Sequence, residues 1–81
     1  MKKALVTGGA GFIGRWLVKR LLQKDIQVWV IDNLENGRES NLEEFKDNPL
    51  LKEVVIGDIL DSRLLNSLFK EKLDIVYHMA A

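Results

Sequence analysis

The chain has 81 residues, with twelve Lys and Arg against twelve Asp and Glu, and it contains no cysteine. Its length suits one small domain, and its zero formal charge lacks the basic excess of a nucleic-acid module. The missing cysteines exclude disulfide staples, thiolate catalysis and Cys-based metal sites together, and 47% hydrophobic residues point to a packed core rather than disorder.

In chain order, Ala4-Leu5-Val6 reads as a first strand, interrupted by the flexible backbone of Thr7-Gly8-Gly9-Ala10-Gly11. Phe12, Ile13, Trp16, Leu17, Leu21 and Leu22 then recur at helical spacing, with Arg15, Lys19, Arg20 and Lys24 mostly on the other face. That spacing predicts core packing for Trp16 and a solvated helix-face position for Arg15. Gln27 to Ile31 is β-rich and apolar on both faces, as expected of a strand covered by helices on both sides. Asp32 to Gly37 is turn-forming, and Ser40-Asn41-Leu42-Glu43 has the spacing of a capping box, which predicts a short helix from about Asn41 to Lys46 ended by Asn48-Pro49. Val54-Val55-Ile56 reads as a buried third strand closed by Gly57. Asp61 is a plausible N-cap for a helix with Leu64, Leu65, Leu68 and Phe69 on one stripe, and Ile75-Val76-Tyr77 makes a fourth strand. The alternation β-α-β-α-β-α-β, without repeats or linkers, predicts a doubly wound α/β unit: a Rossmann-type parallel sheet with helices on both faces. The longest apolar runs, such as Val28 to Ile31, fall far short of the ~20 residues of a membrane span, and Met1 to Thr7 holds no signal-peptide core. The expectation is a soluble, cytoplasmic chain.

The informative stretch runs from Thr7 to Gly14. Gly9, Gly11 and Gly14 fit G-x-G-x-x-G, while Gly8, Gly11 and Gly14 fit G-x-x-G-x-x-G. Either match alone is weak, but here it follows a predicted strand, opens a predicted helix and lies within a βαβ unit. A sharp turn needs one glycine; four in seven residues suit a loop whose backbone closely approaches a phosphate at a helix N-terminus. No Lys-Ser/Thr follows, which disfavours a nucleotide triphosphatase loop. Asp32 ends the second strand eighteen residues after Gly14, close to the ~20 expected of the acidic residue that accepts from an adenosine ribose. A carboxylate there repels a 2′-phosphate and so favours NAD over NADP; Arg38 is the one nearby cation that could oppose this.

Thr7-Gly8-Gly9-Ala10-Gly11-Phe12-Ile13-Gly14, Asp32-Asn33-Leu34, Gly57-Asp58-Ile59 and His78-Met79-Ala80-Ala81 together resemble the extended short-chain dehydrogenase/reductase family, and within it the NAD-dependent sugar-nucleotide epimerases and dehydratases of the UDP-glucose 4-epimerase type. The resemblance covers the whole chain and implies strand order 3-2-1-4. It implies that backbone at Gly8, Gly11, Phe12 and Ile13 holds the pyrophosphate, with Gly14 packing helix on strand. Asp32 and Asn33 would contact the adenosine ribose, Asn36 and Gly37 would line that edge, and Asp58 and Ile59 would address the adenine. Ala80 and Ala81 would pass beneath the cofactor. The family has a small Ser and a His where this chain has Arg15 and Trp16.

The family's chemistry depends on a Tyr with a Lys four residues later. The only tyrosine, Tyr77, has Ala81 at that position, so no catalytic residue is assigned, and Tyr77 is expected in or near the core. His78, the only histidine, is expected to be structural. By the resemblance, residues 1–81 correspond to the N-terminal half of an NAD-binding domain, in a truncated form that lacks the catalytic half and the substrate-binding region and is inactive by itself. Two alternatives stand beside this: a free-standing nucleotide-binding or self-associating module joined through the fourth strand, and part of a sugar-nucleotide reductase of the same superfamily.

Overall fold

A computed structural model describes residues 2–34, 37–57, 63, 66, 70 and 72–79. Strand β1 spans Lys3–Thr7, helix α1 spans Gly14–Gln23 and strand β2 spans Gln27–Asp32. A 3-10 helix at Glu39–Phe45 follows, then β3 at Leu51–Ile56 and β4 at Ile75–His78. All pairings are parallel and the order is β3-β2-β1-β4, as the resemblance implied. The predicted helix starting at Asp61, with Leu64, Leu65, Leu68 and Phe69, lies mostly outside the described residues.

The sheet core follows from its sequence. In β1 and β2 the side chains on both faces are buried, so these central strands carry unbroken apolar runs instead of alternation. Ala4, Val6, Val28 and Val30 face one layer, where Val18, Leu21 and Leu22 of α1 and Leu42 and Phe45 of the 3-10 helix cover them. Leu5, Trp29 and Ile31 form a second cluster, joined by Val55 and Leu73. Each fully buried Val or Leu of this kind contributes roughly 1.5–3 kcal/mol relative to exposure.

Three expectations need correction. Phe12, Ile13 and Trp16 are not core: they are 72%, 67% and 49% exposed. The helix begins only at Gly14, so its buried stripe is Gly14, Val18, Leu21 and Leu22, with Phe12 and Ile13 before it and Trp16 off it. The second correction concerns the capping box, which does not form. The 3-10 helix begins at Glu39, ahead of the expected start near Asn41, so Ser40 lies inside it, and Arg38 before it makes no side-chain cap among the described residues. Third, β3 is a half-exposed strand, with Ile56 47% exposed, because among the described residues it lies at the sheet edge with β2 as its single neighbour.

Gly14 has no room for a side chain. A Cβ there would collide with the Gly8 carbonyl oxygen and stand 3.0 Å from Gly9 Cα. Since the obstacle is backbone, Gly14→Ala should shift the loop and cost about 1–3 kcal/mol. Thermal denaturation should show a drop of several degrees, and an unchanged midpoint would contradict this packing.

Candidate dinucleotide site

Every feature of the candidate site sits at the C-terminal end of β1 and β2, where a parallel sheet whose strand order reverses opens a crevice. The reversal lies between β1 and β4. Thr7, 1% exposed, joins these two strands: the Met79 N–H donates to its carbonyl at 2.9 Å and to its Oγ1 at 3.1 Å. His78 Nδ1 lies 2.9 Å from the same hydroxyl, which gives that histidine a structural partner. Tyr77 is half-buried against the main core, as expected.

Beyond Thr7 the chain turns sharply. Gly8 has φ 74°, in the left-handed region that glycine adopts without steric cost. Its N–H still donates to Ile31 at 2.8 Å, which extends the β1–β2 pairing into the loop. The Gly11 N–H closes on the Gly8 carbonyl at 3.1 Å, and Arg15 N–H begins the helical ladder on Gly11 at 3.0 Å. The amides of Phe12, Ile13 and Gly14 thus fall at the open N-terminus of α1, where N–H groups lack intrahelical acceptors and the helix dipole favours an anion.

Asp32, 7% exposed at the end of β2, organises this end of the sheet. Its Oδ2 accepts from the Ala10 N–H at 2.9 Å, so the carboxylate ties the glycine loop to β2. Its Oδ1 accepts from the Leu34 N–H at 2.7 Å, forming an Asx turn. Leu34 has φ 64°, an uncommon conformation for a bulky side chain, and this bond helps to hold it there. Each carboxylate oxygen keeps accepting capacity beyond these single bonds, which a ribose hydroxyl could use.

Of the residues predicted for the site, Gly8, Gly11, Phe12, Ile13, Gly14, Asp32 and Gly37 come together here. Asn33 follows Asp32 as an exposed residue. Asn36, Asp58, Ile59, Ala80 and Ala81 lie outside the described residues. Arg15 departs from the solvated position expected of it. It is half-buried, with its guanidinium 5.5 Å from the Phe12 ring and 4.9 Å from the Trp16 ring, and its Nε is buried without a hydrogen-bond partner among the described residues. A cleft of about 240 Å³ between the 3-10 helix and β3, walled by Glu39, Glu43, Lys46, Lys52 and Glu53, shares no lining residue with the loop. No helix among the described residues is long and apolar enough to cross a membrane.

A parallel sheet, a glycine loop opening α1 and a buried carboxylate ending β2 define a Rossmann-type dinucleotide-binding unit. Residues 4–81 match the model of the NAD dependent epimerase/dehydratase family, and the chain belongs to that family. It is 40% identical over 79 residues to the UDP-glucose 4-epimerase of Mycolicibacterium smegmatis, covering 98% of this chain and 25% of that one. Among solved structures it superposes on Pal from Bacillus thuringiensis with a TM-score of 0.91 and 52% identity, covering 98% of this chain and 26% of that one. It also superposes on dTDP-glucose 4,6-dehydratase from Bacillus anthracis in complex with NAD, with a TM-score of 0.90 and 32% identity, covering all of this chain and 27% of that one. The chain thus spans about a quarter of the length of these proteins.

Replacing Asp32 by Asn puts an NH2 group where one of the two backbone N–H donors now finds an acceptor. Asp32→Asn should lower stability by about 1–3 kcal/mol, the cost of an unsatisfied buried group. A urea midpoint equal to that of the original chain would show that these bonds contribute nothing.

Proposed function

We propose that this chain binds the adenosine and pyrophosphate part of NAD, as the N-terminal half of the NAD-binding domain of a nucleotide-sugar epimerase or dehydratase. The observation that carries the reading is the Asp32 carboxylate, which bonds the glycine-loop amide of Ala10 at 2.9 Å beside the open N-terminus of α1. The residues present fit the cofactor. Backbone at Gly8, Gly11, Phe12 and Ile13 would cradle the pyrophosphate, and Gly14 supplies the close packing that keeps the loop tight. Asp32 and Asn33 would take the ribose hydroxyls, with Asn36 and Gly37 along that edge. In the same reading Asp58 and Ile59 address the adenine, and Ala80 and Ala81 pass under the cofactor's centre. NAD, when bound, supplies hydride transfer. The 81 residues contain no Tyr-x-x-x-Lys, so proton transfer at a sugar would fall to residues other than these, and the chain alone should turn over no substrate.

A second reading rests on β4. Among the described residues that strand pairs with β1 alone, and Val76 and Met79 beside its edge are 50% and 39% exposed. An unprotected apolar edge invites pairing with another copy. Light scattering at high protein concentration should then show dimers or larger species, and a clean monomer would contradict that association.

Calorimetric titration of the folded chain with NAD, and separately with NADP in the same buffer, tests the first reading. NAD should bind weakly, with NADP at least tenfold weaker, because the Asp32 carboxylate repels a 2′-phosphate. Equal or tighter binding of NADP would overturn the cofactor assignment, and turnover of a nucleotide sugar by the chain alone would overturn its expected inactivity.

A further inference from the structure

The Ala10 peptide is gripped from both sides. Its N–H donates to Asp32 Oδ2, as described, and its carbonyl accepts from two groups on the segment after β2. Asn41 Nδ2 donates to that oxygen at 2.7 Å, and the Arg38 N–H donates to it at 3.0 Å. The approach is close enough that Gly37 must lack a side chain, since a Cβ there would stand 2.7 Å from both the carbonyl carbon and oxygen of Ala10 and 2.9 Å from Gly11 N. Ala10 itself is fully buried, so its carbonyl has no recourse to water if these donors are lost.

The chemistry of the loop makes this carbonyl important. Ala10 is the residue whose carbonyl would normally accept from the Gly14 N–H in an α-helix continued one turn backwards. Directed among the amides of Gly11, Phe12 and Ile13, that oxygen would set a partial negative charge where a phosphate is to sit. With two donors on it, both lone pairs are engaged on the opposite side, toward the 3-10 helix. The predicted capping box paired Ser40 with Glu43 and gave the Asn41 side chain between them no role; in the structure it serves the glycine loop.

We propose that Asn41 is a positioning residue for the glycine loop: it holds the Ala10 carbonyl, and with it the set of amides that would receive the pyrophosphate, in a phosphate-accepting arrangement. The proposal rests on the NAD reading above for the identity of the ligand, but not for the geometry of the loop. It couples the two ends of the adenosine diphosphate site, because the segment that follows the ribose-binding turn is the one that sets the phosphate-binding loop.

Two measurements on the 81-residue chain test it, using Asn41→Ala and Asn41→Asp; the aspartate keeps the shape and replaces the donor by an acceptor. The first is amide hydrogen exchange without ligand. The Ala10 and Gly11 amides should exchange at least tenfold faster in both variants, while the Val6 and Val30 amides of the central strands stay within twofold and report an intact fold. Unchanged exchange at Ala10 and Gly11 would overturn the proposal, whatever the chain binds. The second measurement is titration with ADP and with adenosine. Each variant should lose ADP affinity at least tenfold and adenosine affinity by no more than twofold. An equal loss for both ligands would reduce Asn41 to a general stabilising role and overturn the proposal. If exchange quickens as expected but the original chain takes up neither ligand, the NAD reading fails while the loop-positioning role stands.

Discussion

One buried carboxylate ties together the glycine loop, the end of β2 and the turn that follows it. Asp32 ends β2, accepts from Ala10 in the loop between β1 and α1, and accepts from Leu34 in its own turn. Charge-assisted hydrogen bonds of this kind are roughly twice as strong as neutral ones, and burial protects them from competition by water. Through them the register of β2 fixes where the glycine loop sits. The loop in turn fixes where α1 begins, since Gly14 packs on Gly8 and Gly9 and Arg15 starts the ladder on Gly11. The position of α1 then decides which side chains its buried stripe brings to Val6, Val28 and Val30.

The same network holds the glycine loop in one arrangement. The loop is held by β2 through Asp32 and the Ile31 carbonyl, and by the segment entering the 3-10 helix through Arg38 and Asn41, with Gly37 packed close against it. Two neighbouring segments therefore restrain the backbone whose amides would meet a phosphate, and little ordering remains to oppose binding. The conformationally costly left-handed backbone at Leu34 falls within this network, where the Asp32 bond sustains it.

Much of this was legible in the sequence, for identifiable reasons. The continuous apolar runs of β1 and β2 reported burial on both faces, and the glycine spacing reported a strand-to-helix turn with close backbone contacts. Asp32 stood out by ending the second strand eighteen residues after Gly14, and the structure shows it bonded to Ala10 and Leu34. Failures came where the signal was periodicity without a boundary. Phe12 and Ile13 matched a helical repeat that had not yet begun, because the glycine loop delays α1 until Gly14, and Trp16 lies inside α1 but off its buried stripe. Trp16 and Phe12 instead flank the Arg15 guanidinium, an arrangement that hydrophobic spacing cannot distinguish from core packing. Val54 to Ile56 looked buried because apolar composition does not reveal that a strand lies at a sheet edge. The role of Asn41 was hidden because its partner is a carbonyl 31 residues away, while Ser40 and Glu43 offered a local explanation for the same segment. Membership in the NAD dependent epimerase/dehydratase family agrees with the motifs.

A residue-resolved NMR titration of the chain with ADP reads this arrangement amide by amide. Amide shifts should concentrate at Gly8, Gly11, Phe12, Ile13, Gly14 and Leu34, with no response at Lys52 and Glu53 beside the separate cleft. Shifts confined to that cleft, or ADP bound with the glycine-loop amides undisturbed, would contradict it.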